Sequence, residues 1–347
     1  MGLFVSGLCK SYGPVQVLAD ASFEVRPGEV VALLGENGAG KSTVSNIIAG
    51  STKPDAGSIT WRGKPYSPAS PAAAIDAGVG MIHQELKLLP DLSVAENVYV
   101  GRLPMRGGRI DRAAMNARAS AQLKRLGLDV SPDRKVRTLR IAAQQQVEIA
   151  KALTLNAELL IFDEPTAALG SEETELLFQQ IRKLKAEGMS FIYISHRLDE
   201  IAEIADRVVV MSQGSIEQVG TADEIYDTPN SPFVYGFIGE SSSLPVKVED
   251  GLVWIADRPI GLSAPQAPQG EATLFFRPHD VELVDECNGC IAGTVAASRR
   301  VAGTRRVELE IGGERQRVEV ELPVDHPAAQ KSRVAFRPRR WKLFPAA

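Results

Sequence analysis

The chain lacks any apolar run approaching the roughly 20 residues a membrane-spanning helix needs. Its longest, such as VVALLG and LLIF, are short. Cysteine is scarce: only Cys9, Cys287 and Cys290 occur among 347 residues. An odd, low count argues against a disulfide framework and fits a reducing compartment. CNGC has metal-ligand spacing, but no second pair completes a four-ligand set, so two free thiols in a loop are expected. No excess of one charge exists either. With 39 Lys+Arg against 43 Asp+Glu the net charge is −4, which gives no bulk attraction to nucleic acid or anionic lipid. The N-terminus lacks the basic start and sustained apolar core of a secretory signal. Gly2 and Ser6 in MGLFVS match the short myristoylation pattern, but the segment reads as a first strand.

What is present supports a large core and about two domains, since 44% of residues are apolar. Up to about residue 240, strand-like runs (EVVALL, ELLIF, SFIYIS, RVVVM) alternate with helical patterns. That order predicts an α/β domain with a parallel sheet covered by helices. SEETELLFQQIRKLKAEG reads as one helix, with Ser171 as cap, Glu172 and Glu173 at the positive end of its dipole and Gly188 at its end. Leu177, Ile181 and Leu184 recur at helical spacing and face a core. After the Ser run 241–243 strands dominate. Val307, Leu309 and Ile311, then Val318, Val320 and Leu322, alternate around Gly312-Gly313, predicting a hairpin within a small all-β barrel. From residue 244 onward, 15 Lys/Arg face 14 Asp/Glu, so no nucleic-acid partner is expected.

The strongest chemical signal is GENGAGKST, comprising Gly35, Glu36, Asn37, Gly38, Ala39, Gly40, Lys41, Ser42 and Thr43. It follows a buried strand and opens a helix, as a phosphate-binding loop requires. The glycines let backbone N–H groups point at phosphate oxygens, Lys41 adds a full charge, and the Ser42 hydroxyl is placed for Mg²⁺. The second signal is LLIFDEP. Its apolar run delivers Asp163 and Glu164 to the strand end where ligands bind in open α/β sheets. Asp163 suits Mg²⁺ and Glu164 suits polarisation of an attacking water. Gln84 after VGMI and His196 after FIYIS repeat the pattern of a strand followed by a polar side chain, and read as γ-phosphate sensors, with Gln84 also a metal candidate.

The order GENGAGKST, HQELKLLPDLSVAENV, QQQVEIAKAL, LLIFDEPTAAL and YISHRLDEI resembles the ATP-binding subunits of ABC transporters, most closely the group that energises monosaccharide import. The likeness spans about residues 3–240, and the C-terminal part resembles an accessory OB-like barrel found on such subunits. This implies an ABC-type P-loop NTPase domain over 1–240, including a helical subdomain, and an OB-like domain over 241–347. It also implies ATP and Mg²⁺ as cofactors and ATP hydrolysis as the reaction, with Glu164, His196 and Gln84 as the catalytic set. Tyr12 would stack on adenine. A second ATP-binding subunit, identical or different, would complete each site; membrane permease subunits and, indirectly, an extracytoplasmic solute-binding protein would be the further partners. The chain would then sit at the cytoplasmic face of the membrane.

The signature segment of that family is typically L-S-G-G-Q and reaches ATP held by the other subunit. Here Leu139 is retained, Arg140 stands at the Ser position, and Ile141, Ala142 and Ala143 replace Gly-Gly-Gln, followed by Gln144 and Gln145. Leu139, Arg140, Ala142 and Gln144 are therefore the expected contacts across the interface. Monosaccharide is the expected cargo, with a sulfate-like oxyanion or polyol as the alternative; a poorly hydrolysing regulatory subunit is another. A P-loop kinase would not need the glutamine-led helix or His196. A soluble ABC-type ATPase of translation or repair would more often carry paired ATPase domains or long inserted arms.

Overall fold

In the computed structural model, residues 2–286, 289–312 and 316–346 are described. Cys287 of CNGC and Gly313 of the hairpin turn lie outside them. The apolar run after Glu29 becomes the strand Val30–Gly35, buried at every position. It can be buried on both faces because it lies inside a six-stranded sheet. The order there is Ser215–Gly220, Arg207–Ser212, Val30–Gly35, Ser190–Ile194, Leu159–Asp163 and Val79–Ile82. All neighbours are parallel except the edge strand Ser215–Gly220. Near-continuous Val/Ile/Leu runs are what such doubly covered strands require.

Side-chain alternation splits each strand between two cores. Val31, Leu33, Leu159, Ile161, Ile192 and Ile194 enter one core with the antiparallel sheet built on Leu3–Tyr12 and Val15–Val25. Leu160, Phe162, Phe191 and Tyr193 enter the other, with Leu177, Ile181 and Leu184 from the helix Ser171–Ala186. That helix is capped differently from the expectation. Gly170 is the N-cap and its N–H donates to Glu173 at 3.2 Å, while Ser171 is already helical. The Glu173 carboxylate reaches the exposed N–H, so no hydroxyl is needed there. Gly188 follows the helix at φ +95°.

Two compact units divide the chain, one up to Asp227 and the other from Thr228 onward. The helix Pro232–Phe237 packs within the second unit: Tyr235 meets Phe275 at a tilt and Phe344 edge-on, and Arg277 donates to the carbonyls of Tyr235 and Gly239 at 2.8 Å. Among the described residues the rest of the second unit's regular structure is β, in two antiparallel five-stranded sheets. Ser242–Glu249 alternates buried and exposed at each residue. The inward residues Val307, Leu309, Ile311, Val318, Val320 and Leu322 share one core with Leu244, Leu274 and Phe336.

Candidate active site

Strand register brings the motif residues to one edge of the six-stranded sheet. Leu33, Ile194 and Asp163 are side by side in three adjacent parallel strands, and Ile82 pairs with Phe162 in the fourth. The chain therefore leaves the same edge as the loop from Gly35, as Glu164, as His196 two residues beyond Ile194, and as Gln84 two residues beyond Ile82. Gln84 and His196 are both exposed. This is the carboxyl edge at which open parallel sheets bind ligands.

Close packing fixes the phosphate loop's backbone. A Cβ on Gly35 would lie 2.3 Å from the Met211 carbonyl oxygen. Gly40 is the N-cap of the helix Lys41–Ile48 at φ +99°, and a Cβ there would lie 2.6 Å from Leu18 Cδ2. Glycine is required at both on steric grounds. Lys41 is buried, and its Nζ donates to the carbonyls of Gly35 at 2.6 Å and Glu36 at 2.9 Å. The lysine thus curls the loop around its own ammonium. Burial pushes the Lys41 ammonium below its ordinary value, while the charges of Glu164 and Asp163 push back. Burial raises the Asp163 carboxyl, Glu164's charge adds to this, and Lys41 opposes it. Asp163 and the exposed hydroxyl of Ser42 are hard oxygen donors of the kind Mg²⁺ takes alongside phosphate oxygens.

Glu164 adopts φ +48°, unusual for a residue with a Cβ. Its N–H donates to the Ile194 carbonyl at 3.0 Å, tying it to the neighbouring strand. Its Oε1 lies 3.4 Å from His196 Nδ1. The geometry places a carboxylate and an imidazole in direct contact beside the loop, so that both can reach a water bound next to them. Tyr12 ends the strand Leu3–Tyr12, half-exposed, with Lys10 Nζ 5.6 Å from its ring centroid.

The signature segment lies on the helix Ile141–Thr154, with Arg140 as an exposed N-cap at φ −67°, ψ 157° and no side-chain cap. Leu139 is buried. The first N–H groups of this helix therefore have neither an intrahelical partner nor a side-chain cap. Ala142 is half-buried. Two of the glutamines bond to backbone carbonyls, Gln144 at the helix N-terminus and Gln145 in another segment. Gln144 Nε2 donates to the Leu139 carbonyl at 3.0 Å, and the buried Gln145 Nε2 to the Pro165 carbonyl at 2.7 Å. Gln145 thereby links this helix to the loop carrying Glu164, a role the sequence reading did not assign. Also missed were Thr166, Tyr193, Ser195 and Glu200, which form a buried cluster behind the two loops. Hydroxyl residues flanking both motifs were the one available signal.

Comparison with known proteins agrees with this geometry. The ABC transporter family model matches residues 18–167, and a TOBE-like domain model matches residues 285–339. A sulfate/thiosulfate import ATP-binding protein of Mesorhizobium japonicum is 53% identical over 350 residues, covering 100% of both chains. A putative ribose/galactose/methyl galactoside import ATP-binding protein of Agrobacterium fabrum is 50% identical over 212 residues, covering 61% of this chain and 42% of that one. A crystal structure of a nucleotide-free ATP-binding cassette from an ABC transporter aligns with TM-score 0.61 and 29% identity, covering 69% of this chain and 99% of that one. The sugar-importer likeness is thus confined to part of the chain, whereas the sulfate/thiosulfate likeness runs end to end. With this sheet edge, a C-terminal TOBE-like domain and a full-length relative at 53% identity, the chain belongs to the ATP-hydrolysing subunits of ABC importers.

Proposed function

We propose that this chain drives uptake of sulfate or thiosulfate through a separate membrane permease. The observation that carries the cargo is the end-to-end 53% identity to a sulfate/thiosulfate import subunit. Cargo enters through other chains, so the reading rests on the likeness that covers both domains rather than on the one confined to part of the chain. Two ATPase subunits, identical or not, would face each other at the cytoplasmic side of the membrane. No described helix is long and apolar enough to cross a membrane, so attachment would be through the permease.

Within each site the loop from Gly35 to Thr43 would bind the β/γ-phosphates through its N–H groups and Lys41, and Tyr12 would stack on adenine. Ser42, Asp163 and Gln84 would hold Mg²⁺. The ion, when bound, supplies charge neutralisation on the phosphate oxygens. Glu164 would polarise the attacking water and His196 would contact it or the γ-phosphate. Leu139, Arg140, Ala142 and Gln144 would border the partner subunit's nucleotide, where the uncapped N-terminus of the helix Ile141–Thr154 favours an anion.

A monosaccharide cargo is the second reading, favoured by the 50% identity of the ATPase portion to a sugar-import subunit. Deleting the gene and measuring uptake of labelled sulfate and labelled ribose separates them. Loss of sulfate uptake with ribose uptake intact is expected. Loss of ribose uptake alone would replace the oxyanion assignment.

A further inference from the structure

Behind the two loops that carry Glu164 and His196 lies Glu200, on the short helix Leu198–Ile204 and only 2% exposed. Its Oε2 accepts three hydroxyl hydrogen bonds: from Thr166 at 2.8 Å, Tyr193 at 2.9 Å and Ser195 at 2.9 Å. Its Oε1 faces Arg197 Nη1 at 2.8 Å. These partners come from both loops. Thr166 follows Glu164 by two residues, and Ser195 immediately precedes His196. Ser195 Oγ also accepts the Arg197 N–H at 3.1 Å, so the chain is held on both sides of His196.

We propose that Glu200 is a positioning residue for ATP hydrolysis, clamping the Glu164 loop to the His196 loop so that the two side chains stay in reach of one water. The inference rests on the assignment of Glu164 and His196 given above. Two observations support it. Glu164 sits at φ +48°, a conformation that persists only where the surroundings hold it. The clamp supplies part of that hold through Thr166, and Gln145 adds to it through Pro165, both just after Glu164 in the chain. Second, the chemistry of the hub suits a carboxylate. Three hydroxyls donate to one oxygen and the Arg197 guanidinium lies against the other, and an acceptor-only group can meet all four at once. A glutamine there must aim its NH₂ at either the hydroxyls or the guanidinium. A buried charge is also a costly device for filling space, which apolar residues of like volume do as well.

Steady-state ATPase kinetics and melting temperature of the full-length chain test this. Glu200→Gln is expected to lower kcat about tenfold or more, with KM for ATP changing less than about twofold, because misplacement of reacting groups acts on the chemical step. Thr166→Val, which deletes one donor from the clamp, is expected to lower kcat too, and Thr166→Ser, which keeps the hydroxyl, to recover it. Should Glu200→Gln not fold, the Val/Ser pair decides alone. Glu164→Gln is measured in parallel. Wild-type kcat in Glu200→Gln and Thr166→Val beside an inactive Glu164→Gln would overturn the clamp. So would a lowered melting temperature with kcat unchanged. Wild-type turnover in Glu164→Gln would instead remove the reading on which the clamp rests.

Discussion

At Asp163 three forces meet: burial and the neighbouring Glu164 raise its carboxyl, and Lys41 lowers it. The net direction is upward, so the lysine does not win. Lys41 Nζ is already committed to the carbonyls of Gly35 and Glu36. A cation arriving with the nucleotide would therefore supply the stabilisation that Asp163 lacks, since bound divalent ions invert local carboxyl preferences. Arg140 presents the opposite case. It is exposed at an extended N-cap, and among the described residues no hydrogen bond or ion pair holds its guanidinium. A guanidinium can grip phosphate oxygens in two places at once. Arg140→Ala is therefore expected to lower turnover about tenfold, a charged hydrogen bond being worth about 1.5–3 kcal/mol. ATP affinity of the chain's own loop should be unchanged. A rise in turnover for Arg140→Ala or Arg140→Ser would show instead that the arginine obstructs the site.

Among the elements, the helix Ile141–Thr154 carries the least expected feature, a buried glutamate in its inner face. Glu148 lies among Val147, Ile149, Ala150 and Leu153. The cleft it borders is also lined by His83, Lys87 and Lys151. Burial raises its carboxyl above the ordinary value of 4.5, with Lys151 and Lys87 pulling it only part of the way back. The sign follows from linkage. Where the native carboxyl still holds a proton that the unfolded chain has lost, stability falls as pH rises. Glu148→Gln is thus expected to melt near wild type in acid and above it at neutral pH, the gap opening as pH climbs past 4.5. A variant less stable than wild type at neutral pH would mean that the lysines outweigh burial. This helix also shows where sequence reading stops. The motifs at strand ends were legible because each apolar run predicts a buried strand that stops at its polar residues. Gln145 follows the signature segment in sequence, yet its amide is buried against Pro165, 20 residues away. The Thr166–Glu200 contact spans 34 residues. Hydroxyls and a carboxylate at such separations leave no periodicity to read, because only the fold brings them together.

For the whole molecule, an ATPase unit and a β-unit each build a core of their own. The seam precedes the helix Pro232–Phe237 because Tyr235 finds its aromatic partners, Phe275 and Phe344, in the β-unit. The proposed chemistry lies at one edge of one sheet, where four neighbouring strands end within two residues of the loop, the acids, the glutamine and the histidine. The central claim is that this edge cleaves ATP with Glu164 as the water-polarising group. Its most direct test is ATP binding and ATP turnover, with Mg²⁺ present, measured on the purified chain and on Glu164→Gln. The account predicts unchanged binding and turnover reduced about 100-fold or more in the variant, the range seen when a general base is removed. Equal turnover in the two proteins, or no ATP binding by either, would contradict it.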